Sequence, residues 1–175
     1  MTTIRYFAYG SNMASGTLRG RRCIQCRSAV AAQAVGWQLV LDKPPLLTVG
    51  HSYANIVPDA AAVVWGVLYE IGAADLEHID LTEGVLIDNY RRVEIAVVPY
   101  GSRDASAVQA FTLTSEKRDP TLRPSTRYMN LLITGAEEHG LPPEYVAWLR
   151  TIPAQAESAE SQAWQPLFDQ ALRRE

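Results

Sequence analysis

With 175 residues, a 47% hydrophobic share and a formal net charge of −3, the chain is long enough for one domain with a proper core. It lacks the basic excess that nucleic acid or an anionic membrane surface would call for. No apolar run is long enough for a bilayer span, and Met1-Thr2-Thr3 leads into an apolar segment without a cationic leader, so the expected setting is cytoplasmic.

In chain order, residues 4–9 read as a buried strand that breaks into Gly10-Ser11-Asn12. These residues tolerate unusual dihedrals and carry short polar side chains. Such a loop can gather backbone N–H groups into a concavity for a carboxylate or an oxyanion; it can equally be an ordinary turn. Arg19, Arg21, Arg22 and Arg27 follow, and a basic run of this size without interleaved aromatics reads as a solvated face. Cys23 and Cys26 stand within it as Cys-Ile-Gln-Cys, with no further cysteine to complete a four-ligand zinc site. His51, His78 and His139 are singly placed. Reduced, incidental thiols are expected, with neither metal nor cofactor.

Residues 29–42 alternate as a strand that Lys43-Pro44-Pro45 stops, and residues 46–53 form a loop. A short strand over 54–57 is closed by Pro58-Asp59, and 61–71 form a β-branched, aromatic central strand. Residues 73–84 suit a short helix ending at a glycine stop. At about 100° per residue, Glu83 superimposes on Leu76 and lies four after Ile79, on the core-seeking face. Asp75, Glu77 and Asp80 distribute as surface acids. An unpaired carboxylate on an apolar face is harder to ionise, which suits a proton shuttle. The alternatives are a helix that ends before Glu83, a capping role, or a partner in Arg91 or Arg92.

Residues 89–100 form a strand with Val93, Ile95 and Val97 on its buried face. A turn at Gly101-Ser102-Arg103-Asp104 leads to a pairing strand over 106–114, and 115–124 is loop. The period then changes to that of helices. Tyr128, Leu131, Leu132 and Gly135 mark one helix ending at Gly140, and Tyr145, Trp148, Leu149 and Ile152 mark a second. After a polar spacer over 154–161, Trp164, Leu167, Phe168, Ala171 and Leu172 mark a third. Their aromatic stripes are expected to pack in the core. Strands first and helices last predict an α+β fold around a curled mixed sheet or small barrel flanked by helices. The expected division is a domain over 1–152, then spacer and helix over 153–175, the last helix packing back or meeting a second subunit in a possible homodimer.

At this point the chain resembles a known family. Tyr6-Phe7-Ala8-Tyr9-Gly10-Ser11-Asn12-Met13 resembles the N-terminal signature of the γ-glutamylcyclotransferases. Ile79-Asp80-Leu81-Thr82-Glu83-Gly84-Val85 is similar to the segment bearing their catalytic glutamate, and Tyr90 matches seven residues later. Pro124-Ser125-Thr126-Arg127-Tyr128 with 135–145 looks like the C-terminal helical stretch of the animal enzymes. The resemblance runs from about Ile4 to Ile152 and departs over 23–51 and beyond Pro153.

It implies an AIG2-like fold and an enzyme without cofactor that releases 5-oxoproline from a γ-glutamyl amide. Glu83 would be the general acid and base. Tyr9, Gly10, Ser11 and Asn12 would be donors to the γ-glutamyl group, and Tyr90 and Tyr128 would be hydroxyl contacts to the substrate. The leaving group could be an amino acid or an amine, including an aminoglycoside-like intermediate whose cationic product Asp59, Asp75 and Asp104 would meet. An amidase or a binding module on the same pocket are the other classes.

Overall fold

Two strands of unusual length frame the fold. In the computed structural model, which describes residues 3–46, 50–101 and 106–173 except for the side chains of Glu160 and Phe168, β2 (Cys26–Lys43) and β3 (Tyr53–Gly72) pair antiparallel. β1 (Thr3–Ala8) lies on the far side of β3, and β4 (Arg91–Pro99) and β5 (Val108–Thr114) form a hairpin beside β2. A parallel contact, Tyr6 opposite Phe111, joins β1 to β5. The five strands therefore close into a mixed barrel in the order β1-β3-β2-β4-β5, so each strand has a neighbour on both sides.

The long strands depart from the expected segmentation. β3 continues through Pro58 and Asp59 where the sequence suggests two strands, although the ladder itself is interrupted there. Pairing passes from Val63 opposite Val35 to Pro58 opposite Trp37, so Gly36 alone faces residues 59–62. Gly36 takes the positive φ of +84° that this bulge needs. Pro58 lacks an N–H for the ladder, yet the strand resumes along the same neighbour, so one element survives its breaker. β2 starts at Cys26, which places that cysteine at the head of a strand rather than in a loop. On β4, Ile95 and Val97 are buried as the alternation predicts and Val93 is half-buried; residues 102–104 of the expected turn lie outside the described residues.

Helix α1 (Ala73–Thr82) packs beside β1 and β3, α2 (Thr126–Glu138) against the turn that follows β1, and α3 (Pro143–Thr151) on α2. Ser125 begins α2 by accepting the Tyr128 N–H at 3.1 Å. Gly135 then lets α2 lie against the turn. A Cβ there would come within 2.5 Å of Ala14 N and 2.6 Å of the Met13 carbonyl carbon. Tyr69 reinforces the contact, its hydroxyl lying 2.9 Å from Met13 O and 3.0 Å from His139 Nε2. Gly135→Ala is therefore expected to lower stability by about 2–3 kcal/mol through overpacking. A thermal melt checks this, and a melt within a degree of the parent would contradict it.

The last helix, α4 (Ala159–Ala171), reverses an expectation. Trp164 and Leu167, expected in the core, are 48% and 55% exposed, and Trp148 of α3 is exposed as well. The half-buried positions of α4 are instead Ser161, Gln165 and Asp169. A polar face points inward because α4 crosses a cavity rather than a core; Phe168 lies outside the described side chains. Among the described residues no helix is long and apolar enough to cross a membrane.

Candidate active site

The loop after β1 becomes one turn of 3₁₀ helix, Ser11–Met13, closed by Met13 N to Gly10 O at 3.0 Å and Ala14 N to Ser11 O at 3.1 Å. The amides of Gly10, Ser11 and Asn12 precede these bonds, and the leading N–H groups of such a turn have no acceptor within it. They border a cavity of about 640 Å³ into which Tyr9, Tyr90, Tyr128 and Glu83 also face. The structure thus brings together all seven residues singled out in the sequence.

Their side chains do different work. The Tyr9 hydroxyl donates to Leu113 O at 2.5 Å and that of Tyr90 to Ala54 O at 2.8 Å, so both protons are committed to backbone. The Tyr128 hydroxyl accepts the Ala54 N–H at 3.1 Å, leaving its own proton for something else. It lies close to Gly10, where a Cβ would stand 3.1 Å from it. Burial raises all three phenol pKa values well above the usual range, so they enter as neutral donors.

Glu83 follows α1 directly, at its C-cap, with its N–H on Ile79 O at 2.9 Å. Local helix geometry therefore does put it on the side of Leu76 and Ile79, which are buried. The carboxylate is not unpaired, however. Arg22 makes an ion pair to Oε1, with side-chain exposures of 5% for Arg22 and 19% for Glu83. Asn12 Nδ2 donates to the same oxygen at 3.2 Å and to the Tyr6 hydroxyl at 3.0 Å. Arg22 Nε donates to Asn12 Oδ1 at 2.9 Å and another of its nitrogens to Thr82 Oγ1. Neither bond to the carboxylate uses Oε2. Among the described residues the anchor is thus Oε1, in a residue that lines the cavity.

This corrects two expectations. Arg22 belongs to the run expected to be solvated, yet it is buried because the π-helical turn Gly16–Arg21 carries it under the β1 turn. Arg91 and Arg92, one of the alternatives for pairing Glu83, are taken by Glu116 at 3.9 Å and Asp80 at 2.7 Å. Among the expected surface acids, Asp75 is buried and accepts the Gly72 N–H at 3.3 Å at the head of α1. Burial raises the pKa of Asp80, and Arg92 opposes that. Neither Asp59 nor Asp75 lines the cavity, so neither is placed to meet a product there; Asp104 lies outside the described residues.

Sequence reasoning missed Lys43 and Asn89. Lys43 was expected only to end a strand, but its side chain reaches the cavity wall, bonded to Pro44 O at 2.8 Å and to Asn89 Oδ1. Asn89 in turn donates to Glu83 O at 2.9 Å. The available signal was a lysine at the buried end of a strand, beside the loop that carries Asn89, which is visible only once the strands are paired. Over the cavity mouth, α4 is held by Arg21 to Asp169 at 3.2 Å, by Arg127 to Gln165 and by His78 to Leu172 O at 2.9 Å. The spacer before it is tied to α2 by Thr126 N to Gln155 O at 2.8 Å. Among the described residues no three His, Cys, Asp or Glu side chains converge as metal ligands would.

An AIG2-like family model matches residues 63–149. The bovine gamma-glutamylcyclotransferase is 30% identical over 153 residues, covering 84% of this chain and 77% of that protein. The chain belongs to the γ-glutamylcyclotransferase family. The human gamma-glutamylcyclotransferase is 28% identical over 149 residues, covering 84% of this chain and 77% of its own. The gamma-glutamyl cyclotransferase aclK of Aspergillus oryzae is 31% identical over 163 residues, 83% of this chain but 59% of its own length. In fold, the cyclotransferase superposes on a solved gamma-glutamyl cyclotransferase with a TM-score of 0.76 at 24% identity, over 93% of this chain and 97% of that one. A yeast cyclotransferase described as specific to glutathione superposes with a TM-score of 0.60 at 12% identity, over 85% and 94% of the two chains. Likeness at these identities concerns the barrel and its helices. The activity class rests on the curated relatives.

Proposed function

We propose that this cyclotransferase acts on a γ-glutamyl amide whose α-amine attacks its own γ-carbonyl, closing the lactam 5-oxoproline and expelling the amine. The observation that carries this reading is the Glu83 carboxylate, held through Oε1 by Arg22 and Asn12 in the cavity that Gly10, Ser11 and Asn12 also line. The N–C bond forms as the amide C–N bond breaks. The two protons lost by the α-ammonium equal the two gained by an amine leaving as its ammonium, so one shuttling carboxylate balances the step. Confinement of the folded chain supplies proximity, for which effective molarities of about 10⁵ M or more are known in intramolecular attack. The amides of Gly10, Ser11 and Asn12 and the free proton of Tyr128 would meet the oxyanion and the γ-glutamyl carboxylate. Tyr9 and Tyr90 would shape the pocket with their rings, their hydroxyl protons being spent on backbone.

Incubation with γ-glutamyl-alanine and γ-glutamyl-methylamide, followed by mass spectrometry, tests the reading. A product one water lighter than glutamate supports cyclisation, whereas free glutamate would mean attack by water. Tyr128→Phe is expected to lower kcat/KM about tenfold, the value of one buried hydrogen bond to a charged group. Tyr90→Phe should leave kcat/KM within about twofold while lowering the melting temperature. Equal kinetic losses in the two variants would contradict the different assignments of their protons. The two free cysteines, Cys23 and Cys26, support a reducing, cytoplasmic setting.

A further inference from the structure

Lys43 has no role in that reading, and its surroundings give it one. Its side chain is 1% exposed, and its ammonium lies 4.7 Å from the centre of the Tyr90 ring. Its hydrogen-bond partners, Pro44 O and Asn89 Oδ1, are both neutral. Among the described residues no carboxylate lies within ion-pair reach of it, whereas other cations of the cavity have theirs: Arg22 has Glu83, Arg127 has Glu157 at 3.7 Å, and Arg21 has Asp169. A charge withdrawn from water without a counter-charge is costly, and a ligand that brings one removes the cost. The lining as a whole agrees. It carries Arg21, Arg22, Lys43, Arg127 and Arg173 against Glu83 and Glu157, in a chain whose net charge is −3.

We infer that Lys43 is the docking cation for a carboxylate of the substrate. This rests on the cyclotransferase reading for the identity of the ligand but not for the existence of the anion site. The carboxylate has two possible sources, the γ-glutamyl group itself or an amino acid as the leaving amine. In either case Lys43 forms a charge-assisted bond in a partly desolvated pocket, and the enzyme discriminates against the analogue lacking that carboxylate. Burial lowers the Lys43 pKa to about 8, against an upward pull from Glu83 and with a further downward push from Lys117. The site is therefore cationic at neutral pH and loses its charge as the pH passes about 8. The other groups that face it are the Tyr90 ring and the neutral Asn89 amide.

The test separates the sources by calorimetric titration of three ligands into a Glu83→Gln protein, which does not need turnover. γ-Glutamyl-alanine carries both carboxylates, γ-glutamyl-methylamide only the first, and 4-aminobutyryl-alanine only the second. Adding Lys43→Gln, which keeps a donor for Asn89 but removes the charge, should weaken γ-glutamyl-alanine about ten- to hundredfold. It should weaken just one of the other two to the same degree, and that one names the docked carboxylate. In the protein retaining Lys43, affinity for the same ligands should fall between pH 7 and pH 9, a fall that Lys43→Gln abolishes. Changes under twofold for all three ligands overturn the proposal. So does an equal loss on all three, which would mark Lys43 as a structural prop. Failure of the wild-type protein to form 5-oxoproline would overturn the cyclotransferase mechanism alone, leaving the binding result standing.

Discussion

Glu83→Gln should reduce the initial rate of 5-oxoproline release by about 10²–10⁴-fold, the range that positioned general acid–base catalysis supplies. The substitution is close to isosteric. The amide oxygen of the glutamine can stay where Oε1 receives Arg22 and Asn12, so what disappears is the ionisable proton acceptor. Ligand binding should survive within severalfold, as calorimetry with 5-oxoproline would measure. Stability should fall by about 2 kcal/mol, because Arg22 loses its counter-charge in a site that the cavity keeps partly wet. A variant that turns over at more than a tenth of the wild-type rate would remove Glu83 from the chemistry.

The second large effect belongs to Arg22, as a positioning residue. Arg22→Ala deletes the group that ties Glu83 to Asn12 and Thr82. A misplacement of about 1 Å at a reacting group costs on the order of 100-fold, so kcat should fall by that order with a smaller change in KM. Breaking a buried pair from the cationic side should also lower stability by about 3 kcal/mol, measured by urea denaturation. A structural prop and a positioning device separate on rescue. Millimolar guanidinium ion should restore a measurable part of kcat to Arg22→Ala, where sodium at equal ionic strength does not. Arg22→Lys should be rescued poorly, because an ammonium cannot span Oε1, Asn12 and Thr82 with one planar fork. Activity of Arg22→Ala within threefold of wild type would show that Glu83 needs no clamp.

Several features of this cyclotransferase are local properties of the sequence. The side of α1 on which Glu83 emerges follows from its spacing to Leu76 and Ile79, and the buried face of β4 from the alternation of Ile95 and Val97. The start of α2 at Ser125 and the strand-to-turn break at Gly10 are likewise written in neighbouring residues. The first two depend only on how far a side chain rotates about its own backbone per residue, the last two on the capping and turn chemistry of adjacent residues.

What each face meets was decided by the tertiary structure alone. Glu83 faces Arg22, 61 residues away, because a π-helical turn folds under the β1 loop, and nothing in a run of arginines distinguishes the buried one. Lys43 becomes part of the cavity wall because β2 ends beside the loop that carries Asn89. In α4 the apolar stripe is real but Trp164 and Leu167 face outward, since the space beneath that helix is an open cavity rather than a packed core. Periodicity separates the two sides of an element; which side turns inward is settled by what lies opposite, a packed core or an open cavity, and that comes from distant parts of the chain.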